Sequence, residues 1–301
     1  MEQTIARLAR FTIAFALALA PAAAVADELS APSNVEAKVE SPQEVRLSWY
    51  SSSGASSYVV YRDSDGNGYS FRELQTTYST SFDDSDVRPG HTYVYVVKAK
   101  NESGALSAAS NQVKAITPPE APTYLSAKVE SDRYIQLSWN SVSNVSSYVI
   151  LRSTDSGEYN LREVGTSYGS SYTDNDVHEG KAYYYVVKAK SEGGALSAGS
   201  NTANAVMPLP APDGLSASAS SESEIRLSWS SVSGADSYVI FRDTDSGGYS
   251  YREVGTSYGS YYSDSGLEPG KTYYYVVEAK SSISKSGKSR QANATTSAKS
   301  N

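Results

Sequence analysis

The 301-residue chain contains no cysteine, only two histidines and two methionines, and no long apolar run after residue 26. Without cysteine there is no disulfide framework, no thiolate zinc site and no lipid-modified cysteine behind a leader, so each folded unit rests on its hydrophobic core alone. The two histidines, His91 and His178, lie in turns, where nothing supplies the buried acid that orients a catalytic base; a Ser/His/Asp constellation is thereby set aside. Basic clusters are scarce too. The formal charge is −7, which argues against a general nucleic-acid binder, because neutralising phosphates needs grouped Lys and Arg. The one local exception is the C-terminal end, where every charge from Lys280 onward is positive (Lys280, Lys285, Lys288, Arg290, Lys299). Lysines along a last strand read first as guards against edge-to-edge aggregation.

What the chain does have is 25 Tyr, 21 Gly and abundant Ser, a composition that favours strands joined by polar turns. The first 26 residues stand apart. Arg7 and Arg10 form a positive end, Phe11 to Ala20 a short apolar segment, and Ala24-Val25-Ala26 a small-x-small site. This reads as a secretory signal peptide over residues 1–26, cleaved between Ala26 and Asp27. The apolar run falls short of the ~20 residues of a membrane span, and Pro21 follows it. The C-terminal tail, Thr295 to Asn301, is polar. The expectation is a secreted protein, extracellular or periplasmic, with no membrane anchor once matured and, after loss of Glu2, Arg7 and Arg10, a charge of −8.

Internal repetition governs the rest. Trp49, Trp139 and Trp229 are 90 residues apart, as are Ala31-Pro32, Ala121-Pro122 and Ala211-Pro212. Tyr58-Val59-Val60-Tyr61-Arg62 returns as Tyr148-Val149-Ile150-Leu151-Arg152 and Tyr238-Val239-Ile240-Phe241-Arg242. A period of this length exceeds the ~20 to 45 residues of solenoid repeats and suits an independent bead. The expected domains are 31–117, 121–207 and 211–296, joined by Pro-rich segments that favour extended, semi-rigid spacing and an elongated array. Within each copy the apolar period is two: Val45, Leu47 and Trp49 alternate with Arg46 and Ser48, as in a half-buried strand.

Late in each copy, Arg88-Pro89-Gly90-His91-Thr92-Tyr93, Glu179-Gly180-Lys181-Ala182-Tyr183 and Glu268-Pro269-Gly270-Lys271-Thr272-Tyr273 precede a Tyr/Val strand. Together with the early Ala-Pro, the Leu-x-Trp and the following Tyr, this pattern resembles the fibronectin type III family, over residues 31 to 295. The resemblance implies an all-β chain of three tandem seven-stranded immunoglobulin-like sandwiches, with Trp49, Trp139 and Trp229 structural. It also implies that Tyr93, Tyr183 and Tyr273 are tyrosine corners bonding back to the backbone. Two departures bear on loop shape: His178-Glu179-Gly180 replaces Pro-Gly, and Ser284-Lys285-Ser286-Gly287 replaces the Gly-Ala-Leu-Ser of residues 104–107 and 194–197.

Candidate chemistry is sparse, and no metal or cofactor is expected. Asp84 with Asp86, and Asp174 with Asp176, have the chemistry of a glycosidase pair, yet they lie on a turn and the third copy offers only Asp264. Asp63, Asp65, Asn67 and Gly68 mimic the start of an EF-hand loop, but Leu74 stands where the twelfth-position carboxylate belongs.

Two surfaces are candidates for binding. Strand alternation turns Val59, Tyr61, Val94 and Val96 outward on the C-F-G sheet that the resemblance implies, and likewise Leu151 and Tyr184, then Phe241 and Tyr274, as a repeated apolar face. The alternative is cross-strand stabilisation of the sheet, covered by Arg and Lys stems. The loops carrying Tyr168 and Tyr258, Gly-Thr-Ser-Tyr-Gly-Ser in both, have the Tyr/Ser/Gly chemistry of antibody paratopes. The expected function is non-catalytic: multivalent adhesion to an extracellular protein, polysaccharide or cell surface, in keeping with the spacer and adhesion roles of the resembled family. A self-associating subunit of a fibre or sheath, and an accessory module of a polysaccharide-degrading system, are the alternatives.

Overall fold

The computed structural model describes residues 29–131, 133–156, 160–248 and 250–299, so the expected leader and the Ala26/Asp27 cleavage site lie outside the described residues. Every regular element described is a β-strand.

In the first copy, β1 (Ser33–Ser41), β2 (Glu44–Tyr50) and β5 (Ser81–Asp84) form one antiparallel sheet. β3 (Ser57–Asp63), β4 (Arg72–Thr77), β6 (Thr92–Lys100) and β7 (Val113–Ile116) form the other, in the order β4-β3-β6-β7. The second copy repeats this with β8 (Ser126–Ser131), β9 (Tyr134–Ser138) and β12 (Ser171–Asp174) against β10 (Ser147–Ser153), β11 (Arg162–Ser167), β13 (Ala182–Lys190) and β14 (Ala203–Val206).

The third copy departs from seven strands. β15 (Ser216–Ala219), β16 (Glu224–Ser228) and β19 (Tyr261–Ser265) make its smaller sheet. β17 (Ser237–Asp243), β18 (Arg252–Ser257), β20 (Thr272–Lys280), β21 (Lys285–Lys288) and β22 (Ala292–Thr295) make a five-stranded one. The replaced loop is the cause: where Lys100 and Lys190 each form a single bridge to Leu106 and Leu196, Lys280 and Glu278 pair along β21 with Lys285 and Lys288.

Each pair of sheets encloses its own core. The period of two delivers it: Val45, Leu47 and Trp49 are buried while Arg46, Ser48 and Tyr50 face solvent. Trp49, Trp139 and Trp229 meet Tyr58, Tyr148 and Tyr238 ring to ring, with centroids 5.5, 5.3 and 5.3 Å apart, separations at which edge-on aromatic contacts are favourable. The tyrosine corners are present in all three copies. The hydroxyls of Tyr93, Tyr183 and Tyr273 accept the backbone N–H of Arg88, His178 and Glu268 at 2.8, 2.8 and 2.9 Å. The turn before them needs a left-handed residue, and Gly90, Gly180 and Gly270 supply it at φ 78°, 69° and 69°; the missing proline of the second copy leaves this geometry intact.

The second and third cores nearly touch along the chain. Met207 is fully buried in the second core and Leu209, two residues on, is buried in the third. Gly180 donates to the carbonyls of Met207 and Pro208 at 3.2 and 3.0 Å, and a Cβ on Gly180 would run into Leu209 at 2.8 Å.

One contact distinguishes the copies. The Tyr172 hydroxyl donates to the Val164 carbonyl at 2.9 Å, and Tyr262 does the same to Val254 at 2.8 Å. Each hydroxyl lies over a glycine, Gly165 or Gly255, where a Cβ would collide with it. The first copy has Gln75 and Phe82 at these positions, so the side chain is present where the hydroxyl is absent. Gly165→Gln should therefore cost about 1–3 kcal/mol through overpacking, and adding Tyr172→Phe should restore most of it. Urea denaturation of the two variants checks this; equal losses in both would sink the explanation.

Candidate functional site

The carboxylates are tied up in structure. Asp84, Asp174 and Asp264 are buried and bound by Arg62, Arg152 and Arg242 at 2.9, 2.7 and 2.9 Å. Each also accepts a buried tyrosine hydroxyl, from Tyr95, Tyr185 or Tyr275, at 2.8 Å. Burial first, and then the adjacent carboxylate, push these three phenols well above the ordinary tyrosine range, with hydrogen bonding to Asp264 ranking ahead of its charge at Tyr275. They remain neutral donors. Each guanidinium also lies over the ring of the corner tyrosine, 5.1 to 5.4 Å from its centroid, within cation–π range. The same guanidinium reaches Asp86 and Asp176 at 3.3 and 2.9 Å, so each pair of carboxylates is engaged by one arginine; in the second copy the pair and Arg152 line an open surface cleft with Tyr172 and Glu163.

Asp63 is equally occupied. Its carboxylate accepts the backbone N–H groups of Asp65, Gly68, Tyr69 and Ser70 at 2.7 to 3.2 Å. Burial alone would raise this carboxyl, but the four donors outweigh it and hold the group below the usual aspartate range. Asp243 is likewise lowered, chiefly by the N–H of Ser250. These side chains cap their loops from within, and among the described residues no group of three or more metal-ligating side chains is assembled.

The outer face of the β4-β3-β6-β7 sheet corrects an expectation. The alternation is as read, but the outward residues do not form an open apolar face: Val59, Val94, Val96, Val186 and Val276 are buried, and Tyr61, Leu151, Tyr184, Phe241 and Tyr274 are half-buried. Lysine ammonium groups lie over two of the rings, and the chain at Gly199 lies against Val186. Lys98 Nζ lies 5.5 Å above the Tyr61 ring and Lys288 Nζ 4.5 Å above Phe241, while a Cβ on Gly199 would press on Val186 at 2.7 Å.

Exposure is concentrated elsewhere. Tyr168 and Tyr258 are each 86% exposed, and so is Tyr78, their counterpart one period earlier. All three sit at the tip of the turn that follows β4, β11 or β18. The turn is braced from below: Ser79 N–H donates to Thr77 Oγ1 at 3.1 Å, and Ser167 and Ser257 Oγ donate to Gly169 and Gly259 carbonyls at 3.1 and 3.0 Å.

The same end of each smaller sheet carries a second exposed tyrosine: Tyr50 at the end of β2, Tyr124 two residues before β8 and Tyr261 at the start of β19, exposed by 65, 80 and 72%. Backbone pairing places them there. Trp49, Trp139 and Trp229 N–H groups donate to Thr80, Ser170 and Ser260 carbonyls, so the residue after each tryptophan borders the turn. Tyr50 is that residue in the first copy and pairs with Ser33. In the second, Asn140 occupies the place and its N–H donates to Thr123, next to Tyr124, at 2.9 Å. In the third, Tyr261 pairs with Ser228. Sequence reading found Tyr168 and Tyr258; the period of 90 residues would have found Tyr78 as well. Nothing in the sequence alone brings Tyr50, Tyr124 and Tyr261 to the same end of the smaller sheet.

The sequence model of the family described as Fibronectin type III domain matches residues 30–116 and 210–295, more than half of the chain. The chain belongs to the fibronectin type III family. It is 31% identical over 186 residues to Chitinase A1 of Niallia circulans, a match covering 57% of this chain and 25% of that protein. It is 28% identical over 180 residues to Exoglucanase B of Cellulomonas fimi, covering 54% and 15%. A third relative, the poly(3-hydroxybutyrate) depolymerase of Ralstonia pickettii, is 38% identical over 84 residues, covering 28% and 15%. The chain thus spans a quarter or less of the curated relatives it matches. Among solved structures, chicken CNTN1 FN1-FN3 domains align over 90% of this chain and 99% of theirs, with 20% identity and a TM-score of 0.31. A segment of two fibronectin type III domains from chicken tenascin aligns over 58% of this chain and 99% of its own length, with 19% identity and a TM-score of 0.45. Among the described residues no helix is long and apolar enough to cross a membrane.

Proposed function

We propose that this fibronectin type III chain is a secreted, non-catalytic adhesion protein that holds to a polymer surface through repeated weak contacts, as an accessory to polymer degradation. The observation that carries the reading is the company its sequence keeps: the matched segments are minor parts of a chitinase, an exoglucanase and a poly(3-hydroxybutyrate) depolymerase, whose names all denote enzymes that act on polymers. The domain repetition supports it. Similar modules in series convert weak binding into retention only where the ligand also repeats, and a polymer repeats by construction. The buried carboxylates, each held by an arginine and a tyrosine, support a structural use of the residues that could otherwise have done hydrolysis.

The test is co-sedimentation of the purified chain with chitin, microcrystalline cellulose and poly(3-hydroxybutyrate) granules. Retention on at least one of them, reversed by dilution, is expected. No retention on any would overturn the reading, and sedimentation of the chain alone that rises with its concentration would replace it with self-assembly.

A further inference from the structure

We propose that each sandwich carries a carbohydrate-binding site at the end of the smaller sheet that bears the turn tyrosine (Tyr78, Tyr168 or Tyr258) and the second exposed tyrosine (Tyr50, Tyr124 or Tyr261), and that the ligand is a neutral polysaccharide. This rests on the adhesion reading above and names its site and ligand class.

Duplication explains the turn tyrosine, which recurs at the same position in every copy. It does not explain its companion. The counterparts of Tyr50 are Asn140 and Ser230, those of Tyr124 are Asn34 and Gly214, and those of Tyr261 are Ser81 and Ser171. Three unrelated positions, the end of β2, the bend two residues before β8 and the start of β19, each bring one exposed tyrosine to the same end of the smaller sheet. What is shared is that end of the sheet, as a requirement for a second aromatic ring there would produce.

Tyr124 holds its place against its own backbone. It adopts φ 57°, in the left-handed region, and its counterparts Asn34 and Gly214 adopt 55° and 67°. Asn and Gly are tolerant of that region, whereas a bulky residue is strained in it. An 80% exposed ring gains little packing in return. A position that stability would give to Gly or Asn carries Tyr, which points to use of the ring.

The surroundings select the ligand. Hydroxyls line this end of the second and third sandwiches: Ser126 and Ser138 share a hydrogen bond of 2.9 Å, as do Ser216 and Ser228 at 2.8 Å. Asp213, at its border in the third copy, is turned back onto the N–H of Gly214 at 2.9 Å. The first copy carries one exposed carboxylate there, Glu36, in the place of Ser126 and Ser216. Aliphatic side chains, which would fill the core of a protein interface, do not accompany the rings. A pyranose matches what remains. Its C–H face packs on the electron-rich face of an aromatic ring, its hydroxyls meet serine and backbone groups, and a second ring at the same end of the sheet suits a further sugar of one chain. Tyr displayed on a braced turn loses little conformational freedom on binding.

Two variants test the site beside the wild type, in the same co-sedimentation with chitin and cellulose and with cellohexaose and chitohexaose as competitors. Tyr78→Ala/Tyr168→Ala/Tyr258→Ala should lower retention about a hundredfold, as loss of avidity does, with an unchanged melting midpoint. Tyr124→Asn should raise the melting midpoint while lowering retention, a combination that a structural role for the ring does not yield. Wild type and triple variant retained alike would overturn the site and leave the adhesion reading standing. Retention on poly(3-hydroxybutyrate) alone would overturn the carbohydrate. Failure of the wild type on every polymer would remove the adhesion reading and the site with it.

Discussion

Asp174→Ala should destabilise the second sandwich by about 3–5 kcal/mol, the cost of stranding a buried charge. The Arg152 side chain is only 11% exposed, and its guanidinium loses the carboxylate that meets it at 2.7 Å. The exposed Asp176, at 2.9 Å on the other nitrogen, is a poor substitute because water screens it. Tyr185 loses its acceptor at the same stroke and is left with a buried hydroxyl. For a domain of this size each kcal/mol moves the midpoint by about 4–8 °C, so the shift should exceed ~10 °C. Hydrogen exchange localises the effect: amides of β9, β10, β12 and β13 should lose protection, and those of the first and third copies should keep theirs. Tyr185→Phe removes one neutral donor and should cost about 1–2 kcal/mol. Equal losses in the two variants would mean that the arginine is not the group held by Asp174.

Trp139→Ala should cost about as much, 3–5 kcal/mol by the usual penalty for emptying a large aromatic site, but for a different reason. The indole N–H of Trp139 has no hydrogen-bond partner in the protein, nor have those of Trp49 and Trp229. Its contribution is therefore packing, against Tyr148 and the surrounding core. Trp139→Phe should be much milder, because the smaller ring keeps most of the contact and removes an unpaired donor. Chemical denaturation of the two variants separates these readings; a Phe variant as unstable as the Ala variant would show that the N–H matters.

The legible part of this protein was what repeats along the chain. Trp49, Trp139 and Trp229 mark a strand by their spacing from Leu47, Leu137 and Leu227, and the corner tyrosines mark another by the glycine turn before them. The Arg–Asp–Tyr networks repeat as regularly, yet their partners lie 22 and 11 residues apart and meet only through sheet packing. Read locally, those aspartates lay on a turn with the chemistry of a glycosidase pair; the structure places Asp84, Asp174 and Asp264 in β5, β12 and β19. The outer face of the larger sheet was misjudged for a related reason: alternation tells which way Tyr61 and Phe241 point, and the lysines that lie over their rings, Lys98 and Lys288, come from neighbouring strands. The extra strand β21 was visible only as a changed loop, because Ser284-Lys285-Ser286-Gly287 has no strand signature of its own. The exposed tyrosines were half legible: Tyr168 and Tyr258 stand out by loop composition and Tyr78 by the period of 90 residues, whereas Tyr50, Tyr124 and Tyr261 occupy no common place in the repeat.

Met207 in one core and Leu209 in the next leave a single proline between them. Two residue steps of extended chain reach about 7 Å at most, so tension applied along the chain meets almost no slack at this junction. A tug on the second sandwich reaches the third through Pro208, and the side chains at either end are fixed by hydrophobic burial. Any give must come from the sandwiches themselves, through strands parting from their sheets, so a load large enough to lengthen this junction would begin to unfold a domain.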